Sequence, residues 1–304
     1  MRIGIDIGGS HIASGIVLED GMLMDKETRD IDISSICSEE RVEKLIIDEI
    51  NYEISTLIKR NNYSIGDISK IGIAAPGNPS ENCIRNLVNL HIKEFNIVNE
   101  LIKIYNTKVV LHNDGKCAGF AEKKYGALKR FDDCIFLCIG TGVGSAVFID
   151  NELLVPKNAV GFELGHMIID KSSKNKCNCG NNGCFETFAS MKKFKQNAIK
   201  TLNLESDCIS EEVQNYIRNN IEKPAVKKYV EEYLENIAIG LSNIINIFEP
   251  EAIAFGGSFS YYSDIFLSMI KEKIKKYRFN KSNKIELLEA KLKNDAGIIG
   301  SVII

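Results

Sequence analysis

The first eighteen residues restrict the chain more than any other stretch. Met1 to Ile7 alternates in the manner of a strand, Gly8-Gly9-Ser10 is a turn, and His11 to Leu18 reads as a returning strand. That pattern predicts a β-hairpin closed over glycine. A dinucleotide-binding fingerprint needs a helix after the glycine loop, so the pattern excludes that reading. The same grammar restarts further on: Cys134 to Ile139 is a strand, Gly140-Thr141-Gly142-Val143-Gly144 a glycine turn, and Ser145 to Ile149 a returning strand. Two such openings in 304 residues predict two α/β domains of related topology.

The intervening segments supply helices and further strands. In Glu39 to Arg60, Val42, Leu45, Ile46, Ile50, Ile54, Leu57 and Ile58 fall on one helical face. Ile71 to Ala75 is a short buried strand entering the turn Pro76-Gly77-Asn78-Pro79. Leu101 to Tyr105 reads as helix, Lys108 to Leu111 as strand, and Lys116 to Tyr125 as helix after His112-Asn113-Asp114-Gly115. Phe185 to Leu202 and Ser210 to Asn220 read as helices. A long helix starts near Pro224, which suits its first turn, and stops at Pro250. Ala252 to Phe255 is a strand, Gly256-Gly257-Ser258 a turn, and the segment around Phe266 to Tyr277 a helix. Ile285 to Glu289 is a last strand, and Asp295 to Ile304 a small-residue helix expected to pack back on the first domain.

Composition narrows the function classes. Hydrophobic residues make up 44% and charged residues 26%, as in ordinary globular chains. A net charge of -3 gives no sign of nucleic acid or an anionic membrane as partner. No apolar run reaches the roughly 20 residues needed to span a bilayer, and no signal peptide precedes the first strand. Nine cysteines, an odd count, argue against a disulfide framework and for a reducing cytoplasm. Cys134 and Cys138, within an apolar run, read as small buried hydrophobes.

The chemistry lies in a few clusters. His166 is followed by Cys177, Cys179 and Cys184, interleaved with Gly180 and Gly183. Three thiols and an imidazole suit a tetrahedral, structural zinc, and the glycines let the backbone turn tightly around it. Glu163 and Glu186 flank the cluster, which would hold these carboxylates toward something polar. Glycine turns at Gly8-Gly9, Gly140 to Gly144 and Gly256-Gly257 offer backbone N–H groups to an anion. Each alone reads as a hairpin turn; together they have the order of a clamp for a nucleoside triphosphate. Asp6 either caps its turn or places Mg²⁺ through water. Asn113-Asp114 sits at a strand end, where α/β proteins tend to place ligands. There it serves either as a helix cap or as a base for phosphoryl transfer.

Taken in order, Asp-Ile-Gly-Gly-Ser (6–10), Asn-Asp-Gly (113–115), Gly-Thr-Gly-Val-Gly (140–144), Glu-Leu-Gly-His (163–166), Cys-x-Cys-Gly-x-x-Gly-Cys-x-Glu (177–186) and Phe-Gly-Gly-Ser (255–258) resemble the ROK family of bacterial sugar kinases and repressors, within the actin/hexokinase-like superfamily. The resemblance spans essentially the whole chain, and the cysteine motif is its most specific part. It implies an α/β, two-domain actin-like ATPase (ribonuclease H-like) fold with a cleft between the domains. A small domain would comprise residues 1–112 and 291–304, and a large one residues 113–290 with the zinc loop. It also implies an ATP-dependent hexose kinase acting on the 6-hydroxyl, with glucose the first substrate and N-acetylmannosamine or N-acetylglucosamine the alternative.

By the same resemblance, Asp114 would be the general base. Asn78, Asn89, Asn113, Glu163, His166 and Glu186 would join it around the sugar hydroxyls. His166, Cys177, Cys179 and Cys184 would bind structural zinc, with the second ring nitrogen of His166 turned toward the sugar. Gly8, Gly9, Ser10, Thr141, Gly142 and Gly144 would meet the ATP phosphates, Asp6 the Mg²⁺, and Gly256 and Gly257 the adenosine side. The family suggests a cytoplasmic homodimer or homotetramer. Its regulators carry a helix-turn-helix before the first glycine motif, for which Asp6 leaves no room, and the retained Asp114, Asp6 and three glycine turns make a non-catalytic sugar sensor the weaker reading. Four positions depart from the family pattern: Ser10 for Thr, His11 for Lys, Phe162 for Gly or Ala before Glu163, and Gly115 for Ala after Asn-Asp. None removes an essential group.

Overall fold

The computed structural model describes residues 1–36, 38–157, 161–282 and 284–304. It divides into two units. One is Met1–Lys129 with Val155–Gly161 and Asn294–Ile304; the other is Arg130–Leu154 with Phe162–Lys293.

The first unit is built on a five-stranded sheet. Its strands are β1 (Arg2–Ile7), β2 (His11–Val17), β3 (Leu23–Asp30), β4 (Lys70–Ala75) and, later in the chain, β8 (Lys108–Asn113). A separate three-stranded sheet holds β5 (Asn78–Pro79), β6 (Ile84–Leu87) and β7 (Ile92–Phe95). The large sheet has the order β3-β2-β1-β4-β8. The β1–β2 and β2–β3 pairs are antiparallel, and the β1–β4 and β4–β8 pairs are parallel. Helix α1 (Glu39–Arg60) sends Ile46, Ile50, Ile54 and Leu57 into one core with Ile3, Ile5 and Ile7. Helix α2 (Ile97–Tyr105) begins four residues before the stretch expected from sequence.

Gly4 and Gly72 are register partners on β1 and β4. A Cβ on either would stand 2.1 Å from the Ile298 carbonyl oxygen or 2.0 Å from that of Ser301. The C-terminal helix Ala296–Ile303 therefore lies backbone-to-backbone on this glycine pair. Helix α3 (Asp114–Tyr125) packs beside it, where a Cβ on Gly300 would meet the Cys117 carbonyl oxygen at 1.9 Å.

Strand β3 is hard to read from sequence because its inward row is polar. Leu23, Asp25, Glu27 and Arg29 are half-buried and alternate with exposed residues. Arg60 at the end of α1 holds Asp25 at 2.8 Å and Glu27 at 3.0 Å, and Arg29 pairs with Glu49. Glu53 on α1 is fully buried, and its Oε2 accepts a hydrogen bond from Ser14 Oγ at 2.5 Å. Its Oε1 has no hydrogen-bond partner. Burial raises the Glu53 pKa to about 8, with Glu27 and Glu49 adding to the effect and the Ser14 bond opposing it. A raised folded-state pKa means stability present at low pH and lost as pH rises through that value. Glu53→Gln should therefore melt above wild type at about pH 9, with the gap closing toward about pH 5. Thermal melts across that range check this, and a pH-independent difference contradicts it.

The second unit repeats the plan. Its strands are β9 (Cys134–Ile139), β10 (Val143–Ile149), β11 (Glu152–Leu153), β12 (Ala252–Gly256) and β13 (Glu286–Glu289), in the order β11-β10-β9-β12-β13. Strands β9, β10 and β11 pair antiparallel, while β12 runs parallel to both β9 and β13. In both sheets the leading strand is central, its hairpin partner lies on one side and a parallel strand on the other.

Helix α7 (Pro224–Phe248) ends in a left-handed Glu249 just before Pro250. It packs against α8 (Ser263–Tyr277). The stretch expected as one helix over 185–202 is two, α4 (Glu186–Ala189) and α5 (Met191–Thr201), broken at an extended Ser190. The break lets the N–H groups of Met191 and Lys192 donate to the Gly140 carbonyl, at 2.9 and 3.3 Å. Helix α6 (Ser210–Asn220) follows. No helix of the described residues is long and apolar enough to cross a membrane.

Candidate active site

In the first unit the candidate residues gather at the C-terminal ends of β1, β4 and β8. The Gly8-Gly9-Ser10 turn closes the β1–β2 hairpin with a Gly8 N–H bond to the His11 carbonyl at 2.9 Å. Asn89 lies over Gly9, its Cβ 3.2 Å from where a Gly9 Cβ would be. Asn113 caps α3, its Oδ1 accepting from the Lys116 N–H at 3.2 Å. Its amide also donates to the Gly77 carbonyl at 3.4 Å, which ties β8 to the turn carrying the exposed Asn78.

Because Asn113 serves as the cap, Asp114 is left as the first helical residue. One of its oxygens accepts the Gly115 N–H at 2.7 Å. Burial raises the Asp114 carboxyl above the usual carboxylate range. Asp6 responds the same way: burial, then the nearby charge of Asp114, raises its pKa to about 7. Gly297, at the start of the C-terminal helix, is what gives Asp6 room, since a Cβ there would fall 2.3 Å from Asp6 Oδ2. Two crowded carboxyls that resist losing their protons suit a divalent cation held nearby through water, because its charge would offset theirs.

In the second unit, Glu163 precedes the short 3-10 turn Leu164–His166. Phe162, just before it, is left-handed at φ 55°, a conformation that favours glycine. It is held by a bond from Ser145 Oγ to its carbonyl at 2.6 Å and by an edge contact of its ring with Phe248.

The Nδ1 or Nε2 of His166 and the sulfurs of Cys177, Cys179 and Cys184 lie within 4.8 Å of one another. Cys177 Sγ is 3.4 Å from His166 Nδ1, and Cys179 Sγ is 3.6 Å from Cys184 Sγ. A tetrahedral zinc with Zn–S bonds of about 2.3 Å sets its sulfurs about 3.7 Å apart, so the donors fit. Left-handed Gly180 and Gly183 make the loop possible. Burial pushes the Cys177 thiol up to about 12, so a cation is needed to hold it as thiolate.

Glu186 opens α4 two residues after Cys184. Its Oε2 accepts the Val143 N–H at 2.9 Å, and its Oε1 lies 3.6 Å from Cys177 Sγ. A cavity of about 950 Å³ adjoins the same glycine turn, with Gly140, Thr141, Lys192, Gln214, Ser258 and Tyr261 on its walls. Its helical walls, α5 and α6, carry no motif. Their only signal in the sequence is their position just after the metal loop.

A family model described as "ROK family" matches residues 2–304. The chain belongs to the ROK family. It is 28% identical over 302 residues to the xylose repressor of Bacillus subtilis (strain 168), covering 98% of this chain and 75% of that protein. It is also 28% identical over 325 residues to a glucokinase of Thermotoga maritima, covering 99% and 96%. A crystal structure of a ROK family glucokinase from Streptomyces griseus, in complex with glucose and AMPPNP, superposes with a TM-score of 0.82 at 23% identity, covering 99% of this chain and 97% of that one. This ROK chain therefore has the two-domain actin-like fold expected from its sequence.

Proposed function

We propose that the chain is an ATP-dependent hexose kinase that moves the γ-phosphate of ATP to the 6-hydroxyl of a hexose. Glucose is the first substrate, and N-acetylmannosamine or N-acetylglucosamine the alternative. The observation that carries the reading is Asp114, a carboxylate relieved of capping by Asn113 and tuned upward by burial. A base with raised proton affinity is what abstraction of a sugar hydroxyl proton at neutral pH requires. The glucokinase relative supports the same assignment.

In this reading Asp114 takes the hydroxyl proton as the oxygen attacks the γ-phosphorus, and the β–γ bond breaks to leave ADP. Asn78, Asn89, Asn113, Glu163, His166 and Glu186 orient sugar hydroxyls. Backbone N–H groups of Gly9, Ser10, Thr141, Gly142 and Gly144 hold phosphate oxygens, while Gly8, whose N–H is taken by the His11 carbonyl, shapes the first turn around them. The cavity beside Thr141 and Ser258 receives the nucleoside, and Gly256 and Gly257, just before Ser258 in the chain, take the adenosine side. Asp6 would hold Mg²⁺ through water, and the ion would supply positive charge to offset that of the phosphates. His166, Cys177, Cys179 and Cys184 would hold zinc as four protein donors, and the bound ion would stiffen the loop that carries His166 and Glu186.

The pH dependence follows from Asp114. The base must be ionised, so kcat/KM should fall as pH drops through a pKa above the carboxylate range. A pH–rate profile with its acid limb near about 4, the ordinary value, contradicts this. The substrate is tested by ADP release across hexoses and N-acetylhexosamines, with the product located by phosphorus NMR. Phosphorylation at a hydroxyl other than the 6-position would overturn the regiochemistry. The xylose repressor relative favours a second reading, a sugar-sensing regulator, in which sugar binds and no ADP forms.

A further inference from the structure

The two segments that carry the metal donors both grip the phosphate turn at one residue, Val143. From one side, the Glu186 carboxylate accepts the Val143 N–H at 2.9 Å. It fits so closely that a Cβ on Gly142 would fall 2.3 Å from its Oε2. From the other side, Gly165, adjacent to His166, packs on the Val143 carbonyl, where a Cβ would stand 2.4 Å from the oxygen. One turn of strand further on, Ser145 Oγ accepts the Leu164 N–H at 3.2 Å and donates to the Phe162 carbonyl. The far end of the turn is also anchored, by the Gly140 carbonyl on the first N–H groups of α5.

We infer that Glu186 is a positioning residue that couples the cysteine–histidine metal site to nucleotide binding, by holding the Gly140–Gly144 turn in its phosphate-accepting shape. This rests on the kinase reading and extends it. There Glu186 was assigned to the sugar, which gives no reason for the metal to affect the nucleotide. Here the donor set pins the Leu164–His166 turn to the Cys177–Cys184 loop, and Val143 lies between their two grips. Without the metal, both grips loosen, and the backbone N–H groups of Thr141 and Gly142 lose their preorganisation. Ordering them then falls on the nucleotide, which binds more weakly. The coupling is reciprocal, so bound nucleotide must tighten the metal by the same factor.

The test measures affinity for a non-hydrolysable ATP analogue with Mg²⁺ and no sugar, so that sugar contacts of Glu186 play no part. Reversible removal of zinc from the wild-type protein should weaken the analogue about tenfold, and zinc should restore it. Glu186→Ala should show a weakened affinity with metal present, and a smaller further loss than wild type when the metal is removed, since only the Gly165 grip is left to loosen. Glu186→Gln keeps an acceptor for Val143 and should stay near wild type. A second readout needs no variant: in cobalt-substituted wild-type protein the analogue should alter the visible absorption bands of the metal. Equal affinity of the zinc-loaded and stripped proteins, wild-type affinity in Glu186→Ala, or a cobalt spectrum indifferent to nucleotide would each overturn the inference. If the zinc-loaded wild type binds no nucleotide at all, it is the kinase reading that fails.

Discussion

Asp114→Asn is expected to cut sugar-dependent ADP release by about 10²- to 10⁴-fold, the usual contribution of a positioned base. Sugar affinity should change far less. The asparagine amide preserves volume and can still accept the Gly115 N–H that Asp114 Oδ1 now accepts at 2.7 Å. The cap of α3 is supplied by Asn113, so the helix should not unravel. Removing one carboxylate also removes the neighbouring charge that helps to raise Asp6. The Asp6 pKa should therefore fall, although burial, the larger cause, still holds it above its ordinary value. Loss of turnover with retained zinc and retained sugar binding is the expected signature. Full activity would remove Asp114 from the mechanism.

Cys179→Ser is the second large effect. Cys179 is the exposed thiol of the donor set, and backbone N–H bonding from Asn181 draws it below the ordinary range, as suits a ligand. A serine hydroxyl at that place stays protonated and binds zinc poorly. The variant should therefore lose its metal and sugar phosphorylation together, measured as zinc content against ADP release. Its global fold should persist. The core around Phe194, Tyr229, Tyr233, Tyr262 and Phe266 is built by α5, α7 and α8 without the cysteine loop. Tyr229 and Tyr233 lock that core by donating to the Phe194 and Ala189 carbonyls at 2.5 and 2.6 Å. Phosphorylation that survives without bound zinc would mean the loop needs no metal to place His166 and Glu186.

Much of this architecture is legible in the chain because local and long-range preferences agree. Glu39–Arg60 and Pro224–Phe248 carry apolar stripes with suitable ends, and both helices form at the expected bounds. The two strand–glycine–strand openings became two sheets of one topology. What could not be read depends on distant partners. Strand β3 hides its inward row in Asp25, Glu27 and Arg29, which need Arg60 and Glu49 from α1 to be tolerated there. The break at Ser190 has no proline or glycine to announce it. It exists because the Gly140 carbonyl, some fifty residues earlier, takes up the first N–H groups of α5.

The candidate site divides in the same way. Motif residues with distinctive chemistry, such as the cysteines and the glycine turns, stand out by type and spacing. The cavity walls of α5 and α6 are ordinary amphipathic helices, and only their packing makes them a pocket. Nor does the spacing of Glu186 behind Cys184 reveal that its carboxylate reaches Val143.

Whether this ROK chain uses Asp114 to make sugar phosphates is decided by following ADP release from MgATP in wild type and Asp114→Asn, with and without each hexose. Release should depend on one sugar, glucose first, and should collapse in the variant while that sugar still binds. Sugar binding with no sugar-dependent ADP release from the wild-type protein would contradict it.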